Sequence, residues 1–418
     1  MFPGAHTLKH QGFRNLFFGG VTSQFGDAVY YLVFLFYAKK VTGSDLTVAF
    51  VAAANGVPFL LIGPWASVLA DRIDRRKIML FADLSSMAIM LAVAITALVA
   101  GGLAPPLIIA TAFVLTTVNS FFSPARGASI PRLVPSEDLQ AANGFLISSV
   151  QVMQLLGLVL SVTVIGFIET VAPTLFLPIT ALINAATFGV SAWFCSRLPS
   201  LEPERTADKP HVWQDLKDGF HIVRKDPVMR VALPLNGVLN GIISGWMVTY
   251  ISANEKWFGG RYWTIGLVEA SFFLVILVFG VIASKRPLGK PGKLFAIGWL
   301  WCGICVIPMA WATHYPLYLF LNAVCGIAFP ASWLAISQYQ QTAFPDAVRG
   351  RVRGAWETVW GASQPVGVLF IGPSLAYLGL GPTYLWMGIV ITMVSAISLL
   401  VPSFRRAKMP EAEAVSTA

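Results

Sequence analysis

Between Ala70 and Ile78 the chain reads Asp-Arg-Ile-Asp-Arg-Arg-Lys, with apolar sequence on both sides, Leu46 to Ala70 before it and Ile78 to Ala100 after. Each flanking run is long enough to cross ~30 Å of hydrocarbon as a helix. So few residues between two spans force a tight helical hairpin. Its charged turn must sit in water at a membrane face, and its basic surplus marks the cytoplasmic side.

The rest of the chain repeats this theme. Soluble domains carry about 25% charged residues, whereas here only 12% are charged and 56% are hydrophobic. Twelve apolar runs follow one another, at 13–38, 46–70, 77–100, 105–125, 143–168 and 173–196, then 230–252, 262–284, 293–313, 315–341, 355–378 and 382–404. The pattern predicts an all-α integral membrane protein with twelve transmembrane helices in two six-helix bundles, residues 1–196 and 230–404. A cytoplasmic linker at 197–229 joins them, and 405–418 forms a cytoplasmic tail. Within the linker, Trp213, Leu216, Phe220 and Val223 recur near helical spacing, with Asp215, Lys217, Asp218, Arg224 and Lys225 elsewhere. That is an amphipathic interfacial helix, either a strap between the halves or a partner site.

The formal charge of +9 reports topology, not a nucleic-acid partner. All but four of the 29 Lys and Arg residues fall in loops or tails of one parity, the exceptions being Lys39, Lys40, Lys256 and Arg261. This positive-inside bias puts both termini in the cytoplasm. The first span holds Asp27 and lacks a small-residue cleavage site after it, so it reads as a retained helix. Cys302-x-x-Cys305 has no His or further Cys nearby and reads as packing. There is no phosphate-binding loop and no Cys/His cluster, so neither cofactor nor metal is expected. Ionisable residues are scattered over several spans, which argues against an enzyme.

Three passages narrow the reading: Leu69-Ala-Asp-Arg-x-Asp-Arg-Arg-Lys77; Ser123-Pro-Ala-Arg126 with the following Leu133-Val-Pro135 and Ala142-Asn143; and Asp218-Gly-Phe-x-x-x-Arg224. With the twelve runs they resemble the major facilitator superfamily, and within it the bacterial branch of enterobactin exporters and macrolide-efflux proteins. The resemblance implies a secondary active transporter of the bacterial cytoplasmic membrane, monomeric and working by alternating access. It would export a small organic molecule such as a drug or siderophore, coupled to protons. Uptake or facilitated diffusion of a metabolite is the alternative; a non-transporting receptor or scaffold is the contrasting class. One departure bears on antiport: span 5 reads Gly157-Leu-Val-Leu-Ser161 without the Gly-Pro motif of many antiporters, and a Gly-Pro falls instead at 372–373 in span 11. The resemblance also implies a cytoplasmic gate. Asp71 would meet the start of span 11, and Arg72 and Arg75 would pair with acids across that face, with Arg76 and Glu357 beside them.

Charged groups inside a bilayer are costly, at least ~2.5–3.5 kcal/mol each, so each needs a reason. Asp27 lies near mid-span, with Gln24 and Tyr31 on its face. A carboxyl held away from water can exchange protons near neutral pH, so Asp27 is the first candidate for proton coupling or for a cationic substrate group; a structural hydrogen bond is the competing reading. Glu269 in span 8 is the second. Asp83 lies within reach of Lys77 and reads as structural. Glu357 opens span 11, where it suits the positive end of the helix dipole or pairs with Arg351 or Arg353. Amides share faces as well: Gln151 and Gln154 with Ser148 on span 5, and Asn236 and Asn240 with Ser244 on span 7. With Trp360 and Gln364 these either line a cavity or glue helices. Gly237-x-x-x-Gly241-x-x-x-Gly245 beside them permits close packing.

Overall fold

The computed structural model describes residues 5–70, 72–202, 212–284 and 289–409, and among them every regular element is helical. Two compact units divide the chain, Met1–Pro210 and His211–Ala418.

In the first unit a short 3-10 turn, Ala5–Lys9, leads into α1 (Gln11–Thr42). Gly43 ends α1 in the left-handed region, φ 62°, and returns its N–H to the Lys39 carbonyl. Ser44 then caps α2 (Asp45–Ala54), its hydroxyl accepting from the Thr47 amide at 3.3 Å. Asn55 and Gly56, weak helix formers, split the second apolar run into α2 and α3 (Val57–Ala70). After the charged turn come α4 (Arg75–Ala100) and α5 (Pro105–Leu133). Next are α6 (Leu139–Leu160), a π-helical turn at Ser161–Ile165, α7 (Gly166–Val171) and α8 (Phe176–Ser196).

The second unit begins with α9 (Val212–Lys225), the amphipathic helix expected in the linker. It packs on the last long arginine-bearing helix of its own unit. α10 (Met229–Ser244) and α11 (Trp246–Trp257) share one apolar run broken at Gly245. α12 (Tyr262–Ser284) and α13 (Pro291–Val306) follow, then α14 (Tyr315–Cys325) and α15 (Phe329–Thr342), divided at Gly326. α16 (Asp346–Tyr377), α17 (Leu380–Leu399) and the short α18 (Pro402–Arg405) complete it.

Among the described residues, nine helical segments are long and apolar enough to cross a membrane. The expected runs at 13–38, 143–168 and 355–378 are helical but do not belong to those nine. Gln24 and Asp27 within the first run and Glu357, Gln364 and Pro365 within the last lower their hydropathy, and a π turn separates α6 from α7. A second difference matters more. The apolar run ends at 125, yet α5 continues through Pro124 and Pro131 to Leu133. Proline inside a membrane helix is tolerated where neighbours re-satisfy the freed carbonyls, so Arg126 is a helix-interior residue.

Between helices in lipid there is little hydrophobic drive, and close contact of small residues takes its place. At Gly26 an added Cβ would lie 2.5 Å from Asn184 Oδ1, so α1 and α8 touch there backbone to side chain. The Gly237, Gly241, Gly245 stripe packs on α16 at Val359, Ser363 and Ile371, and Gly367 lies directly on Gly241.

Candidate functional site

Each unit encloses its own polar cluster. In the first, α1 turns Gly20 and Asp27, two helical turns apart, toward α5. Arg126 of α5 lies along Gly20, its Nη1 3.1 Å from where a Cβ would stand, with its guanidinium carbon 5.8 Å from the Phe122 ring centre. Arg126 is the cation whose field reaches the half-buried Asp27, though the two form no direct ion pair. Around them stand buried groups without a hydrogen-bond partner: Arg126 Nη1, the Tyr30 hydroxyl one turn along from Asp27, and Asn184 Nδ2 of α8. Asp83 of α4 is 2% exposed and accepts from Ser191 Oγ at 2.7 Å. Its hydrogen-bond partner is on α8 and is not Lys77. Among the described residues this cluster thus holds two carboxylates, Asp27 and Asp83, and one guanidinium, Arg126.

In the second unit, rings from α11, α14 and α17 converge. Trp246 and Tyr250 are 5.4 Å apart, Tyr250 and Tyr318 5.9 Å, and Trp246 and Tyr384 6.3 Å. The hydroxyls of Tyr318 and Tyr384 share a 2.5 Å hydrogen bond. Asn322, fully buried, fixes this arrangement. Its Oδ1 accepts from the Tyr250 hydroxyl and from Trp246 Nε1 at 3.3 Å, and its Nδ2 donates to the Val268 carbonyl at 2.7 Å. Val268 sets the next residue, Glu269, which is 9% exposed and close enough for its charge to act on Tyr250 and Tyr318. Among the described residues no donor or cation bonds the Glu269 carboxylate.

The amides expected to line a cavity separate on inspection. Asn236 is 1% exposed; its Oδ1 accepts from Asn240 Nδ2 at 2.6 Å within α10, while its own Nδ2 has no hydrogen-bond partner among the described residues. Gln154 is exposed, Gln24, Tyr31, Trp360 and Gln364 are half-buried, and the side chain of Gln151 lies outside the described residues. A cavity of about 850 Å³ does exist beside α10, but against its glycine face. Gly237, Gly241, Val366, Phe370, Tyr377 and Trp386 are among its walls, and none of its lining residues is charged.

The basic turn caps helices. Asp71 lies outside the described residues. Asp74 is buried and accepts from the Arg76 amide, the Leu201 amide and Ser200 Oγ, each at 3.0 Å. Arg75 donates to the carbonyls of Ala70 at 3.1 Å and Ala128 at 2.8 Å, and Arg76 to that of Ser196 at 2.6 Å. At the Ala70 and Ser196 carbonyls, which end α3 and α8, these cations meet the negative end of the dipole. Arg72 is exposed. Glu357 faces Arg353 at 3.6 Å, while Arg351 reaches Asp215 of α9 at 2.9 Å.

Residues that sequence reasoning passed over are therefore Arg126, Tyr30 and Asn184 in one cluster, and Trp246, Tyr250, Tyr318, Asn322 and Tyr384 in the other. Trp246 and Tyr250, like Tyr318 and Asn322, stand four residues apart, so their shared helix faces were legible.

Comparison with known proteins places this geometry. A family model described as Major Facilitator Superfamily matches residues 16–368. Macrolide efflux protein A of Streptococcus pyogenes is 22% identical over 410 residues, covering 94% of this chain and 96% of that protein. Multidrug efflux pump Tap of Mycolicibacterium fortuitum is 23% identical over 410 residues, covering 93% and 95%. Among solved structures, the nucleoside transporter NupG aligns with a TM-score of 0.68 at 14% identity, over 93% of this chain and 98% of that one. A POT family transporter in complex with 5-aminolevulinic acid aligns at 0.72 and 15% identity, over 94% and 96%. At such identities the structural likeness is one of fold.

Proposed function

Because the chain belongs to the Major Facilitator Superfamily, we propose that it exports a small amphipathic organic molecule by alternating access, driven by proton influx. The observation that carries the reading is the end-to-end similarity to a macrolide efflux protein and a multidrug efflux pump. In this reading the protein is a monomer with twelve spans in a bacterial cytoplasmic membrane, both termini in the cytoplasm.

Coupling centres on Asp27. Ionised, its charge offsets that of Arg126 through space; protonated, it withdraws that offset from a guanidinium whose Nη1 has no hydrogen-bond partner among the described residues. A proton on one carboxyl thereby changes what a buried guanidinium must bind, and that difference is what can shift a two-state equilibrium. Glu269, bonded by no cation or donor among the described residues, is the second place where a proton or a cationic substrate group would supply missing compensation. Arg72, Arg75, Arg76 and Glu357, with Asp71, form the gate. Exposed ion pairs of ~0–1 kcal/mol bias such a gate without locking it.

Everted membrane vesicles energised with a pH gradient test this. Accumulation of a macrolide or another lipophilic drug, with partial collapse of the gradient, supports proton-driven export. Uptake by intact cells only, with no gradient change, would favour the metabolite permease.

A further inference from the structure

α9 presents a single wall of positive charge. At 100° per residue, Lys217, His221, Arg224 and Lys225 fall on one face, and all four are exposed. Phe220 stands at the edge of that face and is 37% exposed. The opposite face is committed to the bundle: Gly219 sits on the Arg351 carbonyl and Val223 is 2% exposed. The helix carries two acids that would otherwise offset the stripe, but both turn to Arg351, Asp215 at 2.9 Å and Asp218 at 3.9 Å. Among the described residues, Lys217, Arg224 and Lys225 take no ion pair or hydrogen bond through their side chains. The stripe ends at Lys225, about one helical turn before Met229, where the apolar segment Met229–Trp257 begins.

Cations held that close to the start of a span lie at the level of lipid phosphates, and each adds about fivefold to partitioning onto an anionic surface. Lys and Arg are also the natural donors to phosphate oxygens. An exposed phenyl ring among them suits the boundary between headgroup and acyl chain. A soluble acidic partner would have no use for either the ring or the position. We propose that this face of α9 binds the headgroups of anionic phospholipids in the leaflet where α10 begins. The proposal rests on the chain being embedded in a membrane, and not on the direction or coupling of transport.

The test uses the full chain reconstituted in phosphatidylcholine vesicles with increasing phosphatidylglycerol, read as the thermal midpoint, since a ligand of the folded state raises it. Phosphatidylglycerol should raise the wild-type midpoint, and added salt should erode the rise. The triple variant Lys217→Gln, Arg224→Gln, Lys225→Gln should match wild type in pure phosphatidylcholine and lose most of the rise. Lys217→Arg with Lys225→Arg, which keeps the charges, should retain it. A wild-type protein indifferent to phosphatidylglycerol overturns the proposal, as does a triple variant with the full rise. So does an equal loss from neutralising Arg405 and Arg406, exposed cations on α18 and just beyond it, since that would make the effect one of diffuse charge.

Discussion

Arg126 lies against Gly20, with Nη1 3.1 Å and Cδ 3.4 Å from the place a β-carbon would occupy. Gly20 is thus a groove that lets a guanidinium run along α1 toward Asp27. In Gly20→Ala the neighbour that must give is the far end of a flexible side chain, so the fold should hold. The guanidinium would move by a few tenths of an ångström, and Asp27 would lose part of its compensation. Coupling energies between such sites are ~1–3 kcal/mol. Proton-driven transport should therefore fall at least severalfold with its pH optimum displaced, while expression and thermal midpoint stay near wild type. Gly63→Ala, where nothing lies within 4 Å, is the control. An unchanged pH profile in Gly20→Ala would detach Arg126 from coupling.

Asp27→Asn fixes the neutral form of that carboxyl. Exchange of labelled for unlabelled substrate needs no net proton movement and should survive in proteoliposomes. Uphill transport driven by a pH gradient should be lost, and Asp27→Glu should restore part of it at a shifted pH. Glu269→Gln should alter pH dependence less. If Asp27→Asn still concentrates substrate, coupling belongs to Glu269 or the driving ion is not the proton.

The hairpin at Asp71–Lys77 and the spacing of the apolar runs carried the fold, because hydropathy over a span's length is a strong signal. Breaks inside the runs did not show, since single residues such as Asn55, Gly245 and Gly326 vanish in the average. The helix-interior position of Arg126 did not show for a related reason. Pro124 and Pro131 read as turn punctuation in a soluble chain, whereas membrane helices absorb them. The Gly stripe of α10 was legible because its partner needs only closeness. The aromatic cluster around Glu269 was half legible: two pairs at four-residue spacing mark faces, but Tyr384 joins them only through packing of a distant helix.

A third expectation concerns the N-terminal turn. Asp138 accepts from His10 Nε2 at 2.9 Å, Lys9 Nζ at 3.1 Å and His6 Nε2 at 3.0 Å. Those donors, His10 first and Lys9 next, hold its carboxyl well below the usual carboxylate range. A carboxylate lowered by folding adds stability that is complete above its ordinary value of 3.8 and drains away as pH falls below it. Wild type should therefore exceed Asp138→Asn in thermal midpoint at neutral pH, and the gap should close as the pH is taken down past 4. A gap that persists at strongly acid pH would assign the effect to packing and not to charge.

The last expectation tests how the second bundle is held. α10 and α16 meet at Gly241 and Gly367, where a β-carbon on Gly367 would stand 1.6 Å from the Gly241 carbonyl oxygen. Here the obstacle is backbone, so no rotamer can relieve it and the helices must part. Overpacking costs ~1–3 kcal/mol or more, and separation would also strain the hydrogen bond from Ser244 Oγ to the Gln364 carbonyl, 2.8 Å long. Gly367→Ala should lower the thermal midpoint clearly and reduce folded yield. Gly361→Ala, on the same helix with nothing within 4 Å, should leave both unchanged or raise stability slightly through helix propensity. Cysteine pairs at Val238 and Val366, both walls of the 850 Å³ cavity, give a second readout, since their crosslinking rate should drop in Gly367→Ala as the helices separate. If Gly367→Ala melts like wild type, the close approach of α10 and α16 is not what holds this bundle.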